Sequence, residues 1–431
     1  MGVNADVPYV PLSITKGSCH PMTLPSSKPD NNRDAYGRRH RVRSLTRHTL
    51  RRITRRMMWT FSKPLPPETR FVPLPATDAS SAADFAARTT WYLGSWSRHG
   101  ASASTPLKVP PYLDSSIDIL EAERPLTNSQ SIHQLVWKVT PRTYLKALLR
   151  PSEVTIVDPS FAKDVDSEGY LEVAKRLGRE IPEDFIPVSL AAEGVWSTAS
   201  ALVLGTGPSA GELRGDHGTW TYRIVCNSAI RDNELMERLR PTHICFGDPV
   251  FHFGPSAYAG QFRQDLRTVA ERYDSLLVVP GYCAEVLAAN MPWARGRMLP
   301  LPLTSDEWRA PTIASPAVRS TGNVLTQQMV PLAITLARQI DIGGADGRKP
   351  DEKYFWAHSK AHQYDDALMN SAFEAHPAFF RDTDYADYYA AHCAVVDELI
   401  HYGETRGCQF ATVTNSYIPA LASRLQPGIA G

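Results

Sequence analysis

Downstream of about residue 196, short continuous apolar runs alternate with stretches of helical spacing. Ala201-Leu-Val-Leu204 is such a run, of the kind a parallel strand buried on both faces needs. It leads directly into Gly205, Thr206, Gly207, Pro208 and Ser209. Residues 222–226 predict a second strand ending at Asn227, and residues 231–240 a helix stopped by Pro241. A strand over 242–246 ends at Asp248-Pro249, followed by a helix over 258–273 and a strand over 276–280. Farther on, Thr321-Gly322-Asn323 precedes a helix reaching Arg338, and residues 340–342 predict a strand ending in Gly344-Ala-Asp346. The last unit is a helix over 393–402, a stop at Gly407, a strand over 409–413, and Asn415-Ser416. Repeated β-α-β units predict an α/β fold: a doubly wound, mostly parallel Rossmann-like sheet with right-handed crossovers. Ligands of such sheets lie beyond the carboxyl ends of the strands. Gly205–Ser209, Asn227, Asp248, Asp346 and Asn415 therefore converge on one rim.

The first 195 residues are patterned differently. Residues 69–195 carry core material in Trp91, Tyr92, Trp96 and Trp137, a strand pattern over 153–157 and helical spacing over 170–179, but no catalytic constellation. They read as an accessory globular region, with residues 196–431 as the catalytic domain. Residues 1–68 are rich in arginine and proline with little apolar period, as a disordered arm would be.

Charge sharpens that division. The 431-residue chain has a formal net charge of only +1, so as a whole it is not built to neutralise a nucleic acid. Yet Arg33 to Arg56 holds ten arginines and one acid, Asp34, leaving the rest of the chain strongly acidic. Leu45, Leu50, Ile53, Met57 and Met58 line one face of a short basic helix there, suited to an anionic membrane surface. A solvated tail, or a start at Met57 or Met58, are the alternatives. No apolar run approaches the ~20 residues of a membrane span, and the N-terminus lacks the apolar core of a secretory signal. Six scattered cysteines without a CxxC pair indicate neither a zinc site nor a disulfide framework. The expected location is cytoplasmic, peripheral at the inner face of the membrane.

Gly205, Gly207 and Ser209 offer close backbone approach and N–H groups, which suits a phosphate or nucleotide. A side chain at Gly207 would then fill the ligand's space. No Lys-Ser/Thr follows, so this is not a P-loop. The spacing Gly205-x-Gly207-x-x-Ala210 nearly fits a dinucleotide fingerprint, but the second strand ends at Asn227 rather than at an acid. His358 and His362 lack an adjacent glutamate and read as a solvent-facing pair.

Taken together, the strand-end motifs resemble those of the bacterial lipooligosaccharide sialyltransferases and their wider relatives. Those relatives include the motility-accessory-factor flagellin glycosyltransferases and the archaeal hydroxymethylpterin diphosphokinase-like proteins. The resemblance covers residues 202–421 through Gly205-Thr-Gly-Pro-Ser209, Cys226-Asn227, Phe246-Gly-Asp-Pro249, Ser320-Thr-Gly322, Gly344-Ala-Asp346, Tyr389-Ala-Ala-His392 and Asn415-Ser416. It implies a variant of the A-type glycosyltransferase fold with a CMP-sugar cleft at the rim. It also implies that Asn227 contacts the nucleotide, that Thr321-Gly322 touches the donor, and that His392 is the catalytic base. Several positions depart from the sialyltransferase pattern: Thr206 before Gly207, Asp248 before Pro249, Arg319 offset by one residue, and Gly347-Arg348-Lys349 after Asp346.

The resulting expectation is an inverting glycosyltransferase. It would move an acidic, sialic-acid-like sugar from a CMP-activated donor, its co-substrate, to a glycan or glycoprotein hydroxyl, with no cofactor and no metal. His392 is expected at a helix start, whose positive end would keep it a neutral base, with Tyr389 facing the same side. Gly205–Ser209, Asn227, Asp248, Thr321, Gly322, Asp346, Arg348, Asn415 and Ser416 complete the expected site. The alternative is a pterin-type diphosphokinase using ATP and Mg²⁺, with Asp248 as a metal ligand. A third class is a binding module that kept the nucleotide fold but lost turnover.

Overall fold

Apolar runs whose successive side chains point to opposite faces can be buried only if helices cover both sides of the sheet. In the computed structural model this is how the chain folds. The described residues are 63–74, 79–98, 106–126, 131–161, 168–187, 190, 198–305, 307–347, 362–377 and 385–426, all within the unit Thr54–Gly431. The stretch Arg33 to Arg56 lies outside them.

The first half contains a small parallel sheet of its own. Strands β1 (Arg70–Leu74), β2 (Ile132–Val136) and β3 (Val154–Ile156) pair in sequential order, all parallel. Helices Ala79–Leu93 and Pro141–Leu149 make the crossovers, and Glu168–Arg176 follows β3. Leu65, ahead of β1, is buried and its amide donates to Arg176 O at 2.8 Å.

The second half forms the main sheet. Strands β4 (Ser200–Leu204), β5 (Tyr222–Cys226), β6 (His243–Cys245), β7 (Leu276–Pro280) and β8 (Met298–Leu301) run outward one after another. A two-strand pair, β9 (Leu303–Thr304) and β10 (Val318–Arg319), begins the return to β11 (Gln339–Gly343) and β12 (Gln409–Thr412) on the other side of β4. The order is β12-β11-β4-β5-β6-β7-β8, parallel at each pairing. The fold class expected from the pattern is thus present. The winding reverses between β4 and β11, so the topological switch lies where the Gly205 and Gly344 turns meet.

Alternate residues of each strand feed opposite cores. Leu202, Leu204, Val225, Ile244, Leu277 and Val279 pack with helix Ala257–Tyr273 on one face. Ala201, Val203, Ile224, Val278, Ile340 and Ile342 pack with helices Val330–Leu336 and Tyr385–Thr405 on the other.

Polar contacts join the two sheets' helices. Arg263 pairs with Asp114 at 2.5 Å, both nearly buried, and stacks over the Trp91 ring 4.0 Å away. Asn290 Nδ2 donates to Trp91 O at 2.8 Å, and Arg88 donates to Ala375 O. Among the described residues no helix is long and apolar enough to cross a membrane.

Candidate functional site

At the switch point the ends of β4, β11 and β12 are knotted together. Gly205 N donates to Gly343 O at 2.9 Å and Gly207 N to Gly344 O at 2.8 Å. Ser209 N donates to both oxygens of Asp346, at 3.1 and 3.3 Å, and its hydroxyl donates to Asp346 Oδ2 at 2.8 Å. The same hydroxyl lies 2.8 Å from Thr414 Oγ1, which accepts from Gly344 N at 2.8 Å. Ser416 Oγ donates to Ala345 O at 2.7 Å, and Asn415 Nδ2 reaches Glu212 at 3.4 Å. Six of the expected site positions, Gly205, Gly207, Ser209, Asp346, Asn415 and Ser416, are therefore brought together at the switch point.

This geometry changes the reason for the glycines. A Cβ on Gly205 would stand 2.5 Å from Gly344 O, and one on Gly207 would stand 2.0 Å from Asp346 Oδ2. They are glycine because another loop passes through the space. The amides of Gly205, Gly207 and Ser209 are already engaged by that loop rather than left for a phosphate. A side chain at position 207 would break the rim itself, so the expectation that it acts by filling ligand space is corrected. The Asp346 carboxyl is pushed up by burial, an effect opposed by its bonds from Ser209.

Asn227 is different. It follows β5 in the left-handed region, with φ 49°, a conformation that costs a side-chain-bearing residue energy and concentrates at functional positions. Its Oδ1 is buried and finds no hydrogen-bond partner among the described residues. Buried acceptors are nearly always satisfied, so this one is poised for a donor that the described residues do not supply.

Asp248 closes the end of β6 as a turn residue: its Oδ1 accepts from Val250 N at 2.7 Å and Phe251 N at 3.2 Å. Around it stand two tyrosines that sequence reading missed. Tyr282 donates to Gly247 O at 3.2 Å. Tyr388 donates to Gly322 O at 3.1 Å, and its hydroxyl pKa is raised by burial with a further push from Asp248.

Thr321 and Gly322 form a turn whose amides both point at Gln327 Oε1, 3.3 Å from each. Gly322 has φ 71°, and a Cβ there would meet open space, so it is glycine for its backbone angle. The segment after this turn, Leu325–Met329, is a π-helix rather than the start of an ordinary α-helix. Such turns recur at functional sites.

The helix carrying His392 also differs from expectation. It begins at Tyr385, not near residue 393, so His392 lies well inside it and the positive helix end does not reach it. His392 is buried on the same stripe as Val396, Leu399 and Ile400. Burial alone pushes its pKa down to about 4, so the neutral imidazole expected at pH 7 is retained for a different reason. Tyr389, one turn earlier, donates to Tyr417 O at 3.2 Å. Consecutive tyrosines thus tie this helix to the Gly322 turn on one side and the β12 loop on the other.

Other candidates separate. Arg348, with Lys349 and His358, lies outside the described residues. Arg319 pairs with Glu398 at 3.2 Å and covers the Trp308 ring. His362 is not solvent-facing: it is fully buried, with Nδ1 3.3 Å from Thr206 O and Nε2 3.5 Å from Asp232. The spacing of His358 and His362 concealed this because residue 362 precedes helix Asp366–Ala375 instead of lying in one.

No protein-family profile matches the chain, and no curated protein matches it. Among solved structures, the MAf glycosyltransferase from Magnetospirillum magneticum AMB-1 is similar over 61% of this chain at 12% identity, with a TM-score of 0.26. The overlap spans about half of that protein, 51% of its chain. A likeness of this size transfers no residue roles.

Proposed function

We propose that this chain is an inverting glycosyltransferase that moves an acidic sugar from a CMP-activated donor to a hydroxyl of a glycan or glycoprotein. One observation carries the reading: the unsatisfied Oδ1 of Asn227, held on a strained backbone at a strand end of a parallel sheet. An acceptor in that position suits the amino group of a cytosine or a ribose hydroxyl, and it is the residue that the motif resemblance assigns to the nucleotide.

The chemistry asked of the remaining residues is modest. The acceptor oxygen attacks the anomeric carbon, and CMP departs with the electron pair of the broken C–O bond. His392, neutral through burial, takes the acceptor proton. Tyr389 acts as a positioning residue, its hydroxyl holding the Tyr417 backbone. The step is proposed to run without a metal ion. The diphosphokinase alternative gains no support from the site, where Asp248 Oδ1 is engaged as a turn cap.

Asn227→Gly tests the proposal. Glycine accepts the left-handed backbone without strain, so the melting temperature should hold while CMP affinity, measured by calorimetry with EDTA present, falls at least about tenfold. Unchanged CMP affinity, or no CMP binding by the wild-type chain, would reject the nucleotide assignment.

A further inference from the structure

The helix Pro141–Leu149 turns an apolar face outward. Its start is fixed by Thr140, whose side chain caps Thr143 in a reciprocal capping box, and its inner face rests on Thr143 and Ala147. On the outer face Leu145, Leu148 and Leu149 are 55%, 37% and 72% exposed. Their spacing places them side by side on one crest.

Basic residues flank that crest along the chain. Lys138, Arg142 and Arg150 are exposed, and half-buried Lys146 reaches Gln134 Oε1 at 2.6 Å. Among the described residues, Arg150 is the one of these four with a carboxylate partner, Glu153 at 3.5 Å.

The charge pattern decides between occupants. A second copy docked face to face would set one group of cations against another. The Arg33 to Arg56 stretch of the same chain carries the same sign. What complements the face is an anionic surface. Exposed leucines on one helix face flanked by cations match the composition of helices that enter the headgroup and acyl boundary of a bilayer.

We propose that this helix docks the protein on an anionic lipid bilayer, with Leu145, Leu148 and Leu149 inserted and the flanking cations meeting lipid phosphates. This surface is independent of the glycosyl-transfer reading and of the arginine-rich stretch.

The test is co-sedimentation of the full chain with phosphatidylcholine vesicles, with and without about 30% phosphatidylglycerol. The wild type should bind the anionic vesicles and not the zwitterionic ones. Leu145→Ser/Leu149→Ser should lower that binding at least about tenfold at an unchanged melting temperature, because both positions are exposed. Arg142→Glu should weaken it and flatten its salt dependence. Equal binding by the leucine variant would move the attraction to Arg33 to Arg56 and overturn the proposal. Absence of wild-type binding would overturn it too. Binding to immobilised polyglutamate but not to vesicles would replace the bilayer with an acidic protein.

Discussion

Asp346 accepts both the amide and the hydroxyl of Ser209, so the carboxylate at the end of one strand occupies the position where an anion would meet the turn of its neighbour. The two strand ends on either side of the topological switch are thereby closed against each other. In the function proposed above, contact with the donor falls instead to groups farther along the rim, Asn227 first among them.

This pairing has a pH signature. Burial raises the Asp346 pKa above its ordinary 3.8, so in the window between 3.8 and the raised value the folded state binds the extra proton. Stability contributed by this group therefore falls as pH rises through that window. Asp346→Asn keeps an acceptor for Ser209 but carries no charge. Urea unfolding should show the variant gaining on the wild type as pH rises from 3.8 through the raised value. A gain by the wild type instead would mean that the charged carboxylate is the stabilising form.

The glycines can be separated by stability alone. Gly207→Ala places a Cβ against Asp346 and Gly344 O, and should cost about 1–3 kcal/mol or more, as overpacking does. Gly211→Ala, where a Cβ meets nothing within 4 Å, should change stability by less than about 0.5 kcal/mol. Equal effects in chemical denaturation would show that the knot yields to a methyl group.

His392 is tested by the shape of the rate profile. With its pKa lowered to about 4, the acid limb of kcat/KM for transfer should fall near pH 4 rather than near 6.5. His392→Ala should lower kcat by roughly 10²–10⁴-fold with CMP affinity nearly unchanged. An acid limb near 6.5 that persists in the variant would assign the base elsewhere.

The main sheet was legible because strands buried on both faces are written as unbroken apolar runs, such as Ala201–Leu204 and residues 276–280. Of the small sheet, β3 was legible in the pattern over 153–157; β1 and β2 were not, because β1 carries Pro73 and β2 carries His133 and Gln134 among its apolar residues. His133 is buried regardless, bonded to Thr155 at 2.9 Å with its pKa pushed down to about 3 by burial. The first turns of the His392 helix were missed for a related reason: they are anchored through the hydroxyls of Tyr388 and Tyr389, and the aliphatic stripe begins later, at Val396. Strand-end positions were found by their motifs. Whether a glycine serves a ligand or a neighbouring loop depends on a partner more than a hundred residues away, which no local pattern records.

The π segment at Leu325–Met329 makes the rim sensitive to chain length. A π turn holds one residue more than an α turn, so losing a single peptide unit there would rotate everything upstream by about 100° around the helix axis. Val330–Leu336 would stay seated in its core, while Thr321 and Gly322 would swing away from Tyr388. One surplus residue thus acts as a shim, and an insertion or deletion could reshape the mouth of this fold without disturbing its foundation.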